Sequence, residues 1–225
     1  MKRITILIAF VLMVISSNAQ VDLTESEKEI LKDRIIEKLD SFQEELKIIG
    51  NRKGDRNPNG NSDATCNNAM REAKLLFMGD GEIVATEPNY WGRAGYYHSY
   101  ENGGSIVERV DMQTSSKSAS TKSQLMAEYL KAIYDKVYSR YNKIVIERAG
   151  GVRVDNITKL DNGKYIATAH ILQKFEGYKD GYLLYKDYTK KEVVIYIEGE
   201  EIITPEGRIW NWVILLEDIL VEDTW

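Results

Sequence analysis

The spacing of apolar residues changes near Lys143, and this change constrains the fold more than any other feature of the sequence. Before Lys143, apolar side chains recur every three or four residues, which is the period of an α-helix. After Lys143 they alternate with polar side chains, which is the period of a β-strand. A run of helices followed by a run of strands is typical of an α+β fold.

Three helices are predicted before Lys143, over about 25–49, 64–78 and 121–141. The first begins with a capping box, Thr24-Glu25-Ser26-Glu27, in which the Thr24 and Glu27 side chains each accept a bond from a backbone amide that the helix leaves unpaired. Its apolar residues form a single stripe, which is expected to face the core. The stripe consists of Leu31, Ile35, Leu39, Phe42, Leu46 and Ile49.

The second half of the chain predicts five strands joined mostly by tight turns. The turn signals are Asp161-Asn162-Gly163, Lys179-Asp180-Gly181 and Pro205-Glu206-Gly207. Short turns between long strands are typical of an antiparallel meander, and we expect the N-terminal helices to pack on it. The predicted strands cover 144–148, 152–160, 164–178, 182–198 and 208–221.

The last predicted strand carries apolar residues on both faces. One face has Trp210, Trp212, Ile214 and Leu216, and the other has Ile209, Val213 and Leu215. A strand that is apolar on both faces is expected to be covered on both. We therefore expect either the 80–120 segment or a second subunit to cover the outer face, and a homodimer through the sheet would be one way to do so.

The N-terminus predicts export. Lys2 and Arg3 precede an apolar run over 4–15, and Ser17-Asn18-Ala19 places small residues at the expected cleavage site, so 1–19 is interpreted as a signal peptide. Removing the two basic residues changes the formal net charge from −5 to −7, which disfavours nucleic-acid binding. Cys66 is the only cysteine, so no intramolecular disulfide is expected. These features predict a bacterial periplasmic or secreted protein without a membrane span after cleavage.

The mature chain, 20–225, is predicted to form one α+β domain with an irregular insertion at about 80–120. The insertion is expected to contain short strands near 82–86 and 105–112. The order of a long helix, a short helix, a broken region, a third helix and a meander of long strands resembles the nuclear transport factor 2-like superfamily. This resemblance implies a strongly curved sheet that wraps the helices into a cone with an internal cavity. It also implies isomerase, dehydratase, binding or assembly functions, with dimers through the sheet.

A polar loop after the first helix is similar to a calcium-binding loop. Gly60 stands sixth from the first acidic residue, as in a calcium hand, but Cys66 stands where a bidentate Glu is required. Two interpretations follow: a weak calcium site completed by water or a distant acid, or a polar connector between helices, which we favour. No other cofactor is expected. The candidate calcium ligands are Asp55, Asn57, Asn59 and Asp63.

The segment 90–100 is the densest aromatic patch in the chain. Aromatic rings with polar tips are suited to binding glycans, peptides or other partners. The segment is therefore predicted either to be a binding loop at the mouth of the cavity or to pack over the second sheet face. Its candidate contact residues are Tyr90, Trp91, Arg93, Tyr96, Tyr97, His98 and Tyr100.

His170 is the candidate catalytic residue, because a histidine that faces a cavity is able to act as a general base. Asp187 or a tyrosine is a candidate partner for it. The opposite interpretation is a hydrogen-bonded or surface histidine on a strand. Lysines near the 179–181 turn are interpreted as protection of a sheet edge; they are Lys179, Lys186, Lys190 and Lys191.

The favoured prediction is an exported, non-catalytic module that binds a small ligand or a protein partner through the cavity and the aromatic segment. The first alternative is a cavity enzyme of the isomerase or dehydratase type with His170 as general base. The second is a structural subunit of an envelope assembly, which would bury a large apolar face.

Overall fold

The computed structural model describes residues 22–54, 57–78, 84–86, 106–108, 110–117, 119–205 and 207–225. Three predictions concern residues outside these ranges. They are the signal peptide, the Asp55 ligand of the calcium loop and the whole aromatic segment 90–100.

The described residues form three helices: α1 (Glu25–Gly50), α2 (Asp63–Leu75) and α3 (Met126–Ser139). The capping box of α1 is confirmed, because the Glu27 amide donates to Thr24 Oγ1 at 3.2 Å and the Thr24 amide donates to Glu27 Oε2 at 2.8 Å. The predicted apolar stripe of α1 is buried. None of the helices in the described ranges is long and apolar enough to cross a membrane.

The segment after α2 contains more strand than the sequence predicts. Strands β1 (Val84–Thr86) and β2 (Ile106–Glu108) pair with each other. Strands β3 (Asp111–Ser116) and β4 (Ala119–Leu125) pair antiparallel. The prediction of a helix from residue 121 is therefore wrong for its first five residues. Residues of β4 carry short hydroxyl side chains, which weaken a helix, and pairing with β3 holds them extended.

The six remaining strands of the described chain confirm the meander for its last three strands. They are β5 (Lys143–Arg148), β6 (Arg153–Val154), β7 (Thr158–Lys159), β8 (Tyr165–Lys179), β9 (Tyr182–Thr204) and β10 (Gly207–Thr224). The predicted strand over 152–160 is present only as β6 and β7, two short segments that both pair with β8.

One sheet of eight strands has the order β4-β3-β10-β9-β8-β5, with β6 and β7 beside β8. Its pairs are antiparallel except for β3 with β10, which is parallel. The sheet is therefore mixed, because residues within the predicted insertion extend it beside β10. Together with the helices it forms an α+β fold.

The core lies between α1 and the inward residues of the long strands. Val193, Ile195 and Ile197 alternate along β9 and are fully buried, as expected for one face of a strand. The rings of Phe42 and Phe77 pack edge to face at 4.9 Å. The amide of Leu216 donates to the carbonyl of Leu76 at 2.9 Å, which fixes the end of α2 to β10.

The β9–β10 hairpin exposes apolar side chains on both of its faces near its tip, and these residues are here called the hairpin patch. Trp212, Ile214 and Leu216 pack inward as predicted, whereas Trp210 on the same predicted face is exposed. Trp210 lies nearer the tip of the hairpin, where its ring stacks on that of Trp212 with the centroids 6.1 Å apart. The hairpin patch consists of Ile202, Ile203, Ile209, Trp210 and Val213.

Candidate functional site

A cavity of about 730 Å³ lies between α3, the β3–β4 pair and the facing parts of β5, β8 and β9. Its walls differ in chemistry. Hydroxyl groups come from β3 and β4, whereas apolar and aromatic side chains come from α3, from Tyr141 and from β5 and β8. The hydroxyl wall includes Thr114, Ser115, Ser116, Ser120 and Thr121, and the apolar wall includes Ile133, Tyr141, Ile144, Ile146 and Phe175.

Among the side chains that strand β9 contributes to this cavity, three are polar and buried: Asp187, Thr189 and Lys191. They share a face with Val193 and Ile195 because alternate residues of a strand point the same way. The inward face of β9 is thus apolar over the core and polar under the cavity.

Lys191 is buried to 3 % exposure, and its Nζ lies 5.9 Å from the centroid of the Tyr129 ring. No carboxylate oxygen in the described part of the chain lies within 4.0 Å of that nitrogen. Burial removes water from the ammonium and lowers the pKa of Lys191 to about 7, although the charge of Asp187 opposes this change. A neutral amine is therefore well populated near neutral pH.

Asp187 is equally buried, at 3 % exposure. Its Oδ2 accepts a hydrogen bond from the hydroxyl of Tyr185 at 2.6 Å, and that hydroxyl accepts one from the Lys117 amide at 3.2 Å. Burial raises the pKa of Asp187, and the bond from Tyr185 and the charges of Lys117 and Lys191 oppose the rise only in part. Asp187 and Lys191 are thus both shifted toward their neutral forms.

The sequence interpretation of Lys191 as an edge lysine is wrong. Strand β9 lies inside the sheet, between β8 and β10, and Lys191 points into the cavity. The residue spacing could have predicted that Lys191 faces inward, because Lys191 is in phase with Val193, Ile195 and Ile197. Lys190 is out of phase with these residues and is exposed, as the alternation of side chains along a strand predicts.

His170 lies on the other face of the sheet. On β8 the cavity receives Gln173 and Phe175, and His170 alternates with them. Its Nδ1 is 2.7 Å from Glu222 Oε1, and its Nε2 is 3.0 Å from Asp155 Oδ2. The expected pairing with Asp187 is therefore absent, and the partners of His170 are carboxylates of the outer face.

The surroundings of His170 favour its charged form. Burial alone lowers the pKa of His170, but the hydrogen bonds to Asp155 and Glu222 outweigh it, so the pKa is raised. Glu192 Oε1 lies 3.9 Å from Nδ1 and adds a third carboxylate. A charged histidine that binds two carboxylates is a poor general base.

The described part of the polar loop is held by bonds within the protein. Asn57 Nδ2 donates to Asn51 Oδ1 at 3.2 Å and to the Arg52 carbonyl at 2.9 Å. Asp63 Oδ1 accepts from Arg52 Nε at 2.7 Å, and Arg52 lowers the pKa of Asp63. Asn59 is exposed, and Cys66 is buried. These bonds support the interpretation of a connector between helices.

Comparison of the chain with protein families, with curated protein sequences and with solved structures finds no match.

Proposed function

We propose that the chain is an exported module that binds a small, partly apolar molecule in the cavity. The observation that carries this proposal is the cavity itself, into which two buried, oppositely ionising side chains project. Its volume lies within the roughly 300–1,000 Å³ typical of small-molecule sites. Buried polar groups are costly unless they are paired, and a ligand with matching groups would offset that cost.

The superfamily resemblance and the export signal are parts of the same proposal. Three helices followed by long antiparallel strands, with a cavity between α3 and the sheet, support a nuclear transport factor 2-like cone. The basic, apolar and small-residue pattern over 1–19 supports export. The aromatic segment 90–100 is proposed to contribute contacts at the cavity mouth on the strength of its composition.

The alternative of a cavity enzyme that uses His170 as general base has weaker support. His170 and the cavity occupy opposite faces of β8, and both nitrogens of its ring already bond to carboxylates. A structural role has one supporting observation, the exposed hairpin patch. That patch is compatible with ligand binding, and we propose that it joins two copies of the chain through the sheet.

The proposal is tested by filling the cavity. Ala132 on α3 lines the cavity, whereas its neighbour Lys131 is exposed. We expect native mass spectrometry of the exported protein to show a bound small molecule in the wild type and in Lys131→Trp. We expect Ala132→Trp to lose that mass, because the indole occupies the ligand volume.

The paired variants separate cavity binding from adhesion to the surface. An adduct that persists in a folded Ala132→Trp protein would place the ligand elsewhere. A bare wild-type mass, together with no change in melting temperature across a panel of small apolar acids, alcohols and carbonyl compounds, would contradict the proposal. Both variants are compared at equal concentration, with circular dichroism as the check on folding.

A further inference from the structure

We propose that Lys191 is a nucleophilic amine that condenses with the carbonyl group of an aldehyde or ketone bound in the cavity. This inference rests on the proposed ligand-binding function and specifies the chemical class of the ligand. It is carried by the placement of the amine: buried, bordering the cavity, and without an ion-pair partner among the described residues.

The groups around Lys191 leave its amine uncompensated. On the neighbouring strands the paired residues are Ile171 of β8 and Val221 of β10, which are apolar. From α3 the phenol ring of Tyr129 approaches it, and burial together with the nearby Asp187 charge keeps that phenol protonated by raising its pKa. Among the described residues, Asp187 is the charge that acts on Lys191, and it opposes the effect of burial. The amine is thus held on a central strand between two apolar strand neighbours, at the border of the cavity.

Such a setting activates an amine. A lysine in an apolar pocket is deprotonated more readily, and the neutral amine is the form that attacks carbonyl carbons. The pKa of about 7 for Lys191 supports this. About half of such a group is unprotonated at pH 7, against roughly one in 2,500 for an ordinary lysine with a pKa near 10.4.

A carbonyl compound fits the site better than an anion does. An anion would require the ammonium form of Lys191, which burial disfavours, and it would be repelled by Asp187 whenever that carboxyl group is ionised. A neutral aldehyde or ketone neither requires the ammonium form of Lys191 nor is repelled by Asp187. The apolar wall would contact its carbon chain, and the hydroxyl wall of β3 and β4 would contact polar substituents.

The reaction balances without an oxidant or reductant. The lone pair of Nζ forms a bond to the carbonyl carbon, the C=O π electrons move to oxygen, and proton transfer from nitrogen to oxygen gives a carbinolamine. The carbinolamine hydroxyl then takes a proton and leaves as water while the nitrogen lone pair forms the C=N bond. The proton that nitrogen releases on imine formation replaces the one that the hydroxyl takes, so the step is neutral overall.

Reductive trapping tests the proposal. The protein is treated with propanal and sodium cyanoborohydride, which reduces the imine to a stable secondary amine, and the modified lysines are mapped by peptide mass spectrometry. At pH 7 we expect Lys191 to be propylated at least about tenfold faster than Lys190, because its neutral fraction is larger. The adjacent, exposed Lys190 is the internal control for reactivity.

The pH dependence gives a second readout. We expect the rate at Lys191 to level off above about pH 7, whereas the rate at Lys190 continues to rise toward pH 10. Lys191→Met, which removes the amine but keeps an unbranched chain, should lose the fast phase and leave the slow labelling of other lysines unchanged.

Two results would overturn the inference: Lys191 labelled no faster than Lys190, or a rate at Lys191 that rises with pH in parallel with the rate at Lys190. These results are distinguishable from failure of the proposed function. If Ala132→Trp releases a native ligand but Lys191 is unreactive, the cavity binds by non-covalent contacts and only this inference fails.

Discussion

The pKa values of Lys191 and His170 are shifted in opposite directions, although both residues lie on central strands and burial by itself lowers the pKa of both. Lys191 lacks a close carboxylate in the described structure, so loss of water dominates and the neutral amine is favoured. His170 binds two carboxylates, so hydrogen bonding outweighs the loss of water and the cation is favoured. The partner atoms decide the direction of each pKa change.

The raised pKa of His170 predicts a pH-dependent stability. A group whose pKa is higher in the folded than in the unfolded state contributes fully below its unfolded pKa, near 6.5, and this contribution is lost as pH rises through the folded pKa. We therefore expect the wild type to lose stability above pH 6.5 relative to His170→Gln. The measurement is the melting temperature of both proteins from pH 5 to pH 9.

Glu222→Gln provides the matched variant for this prediction. It keeps the size of the side chain but removes one of the charges that favour protonated His170. We expect it to bring the pKa of His170 down, as followed by nuclear magnetic resonance titration of the ring. Parallel melting curves for wild type and His170→Gln across the whole pH range would show that the ion pairs contribute no linked stability.

At the scale of elements, the packing of one aromatic ring coincides with an irregularity in strand β8. Strand β8 has a register shift at Gly177 and Tyr178, where the ring of Tyr141 crosses it. The same Tyr141 ring packs edge to face on Phe175 at 6.0 Å and lines the cavity. The absence of a side chain at Gly177 therefore positions part of the cavity wall.

Gly177→Ala tests this packing. A Cβ atom there would lie 2.4 Å from Cε1 of Tyr141, so the aromatic ring or the strand must move. We expect a loss of about 1–3 kcal/mol in the free energy of unfolding, the usual cost of overpacking. Chemical denaturation measures it. Gly150→Ala is the control, because a Cβ atom at Gly150 has no neighbour within 4 Å; equal effects of the two substitutions would contradict the packing argument.

Long elements with strong patterns could be predicted from the sequence, and elements set by distant pairing could not. The capping box and apolar stripe of α1 are local features, and the structure confirms both. The start of α3, in contrast, depends on contacts with residues outside the helix. Residues of β4 are strand because β3 lies beside them, and the amide of Met126 donates to the carbonyl of Val110 at 3.1 Å where the helix begins.

At the scale of the whole molecule, the hairpin patch is a candidate interaction surface. Ile209 is 52 % exposed and lies on a strand whose other residues continue into the core. Exposed apolar residues gathered at one end of a hairpin are candidates for an interaction site. A second copy of the chain, packed on the face that holds Ile202, Ile209 and Val213, would cover these three residues without additional components.

Ile209→Lys is expected to weaken self-association by placing a charge in the interface. Sedimentation velocity over a concentration series measures the dimer fraction. Leu184→Lys is the matched control, since Leu184 is similarly exposed at 55 % but lies at the opposite end of β9 from the hairpin patch. A wild type that stays monomeric at high concentration, or equal effects of the two substitutions, would contradict a dimer through this patch.

The sequence by itself determined which segments are helices and which are long strands, and which residues of β9 point the same way, because these depend on periods of 3.6 and 2 along a single chain. Tertiary structure alone decided that β3 pairs in parallel with β10 and that His170 and the cavity lie on opposite faces of the sheet. It also decided that the side chain of Lys191 is removed from solvent. Desolvation depends on what packs over a side chain, and those atoms come from segments far away in the sequence.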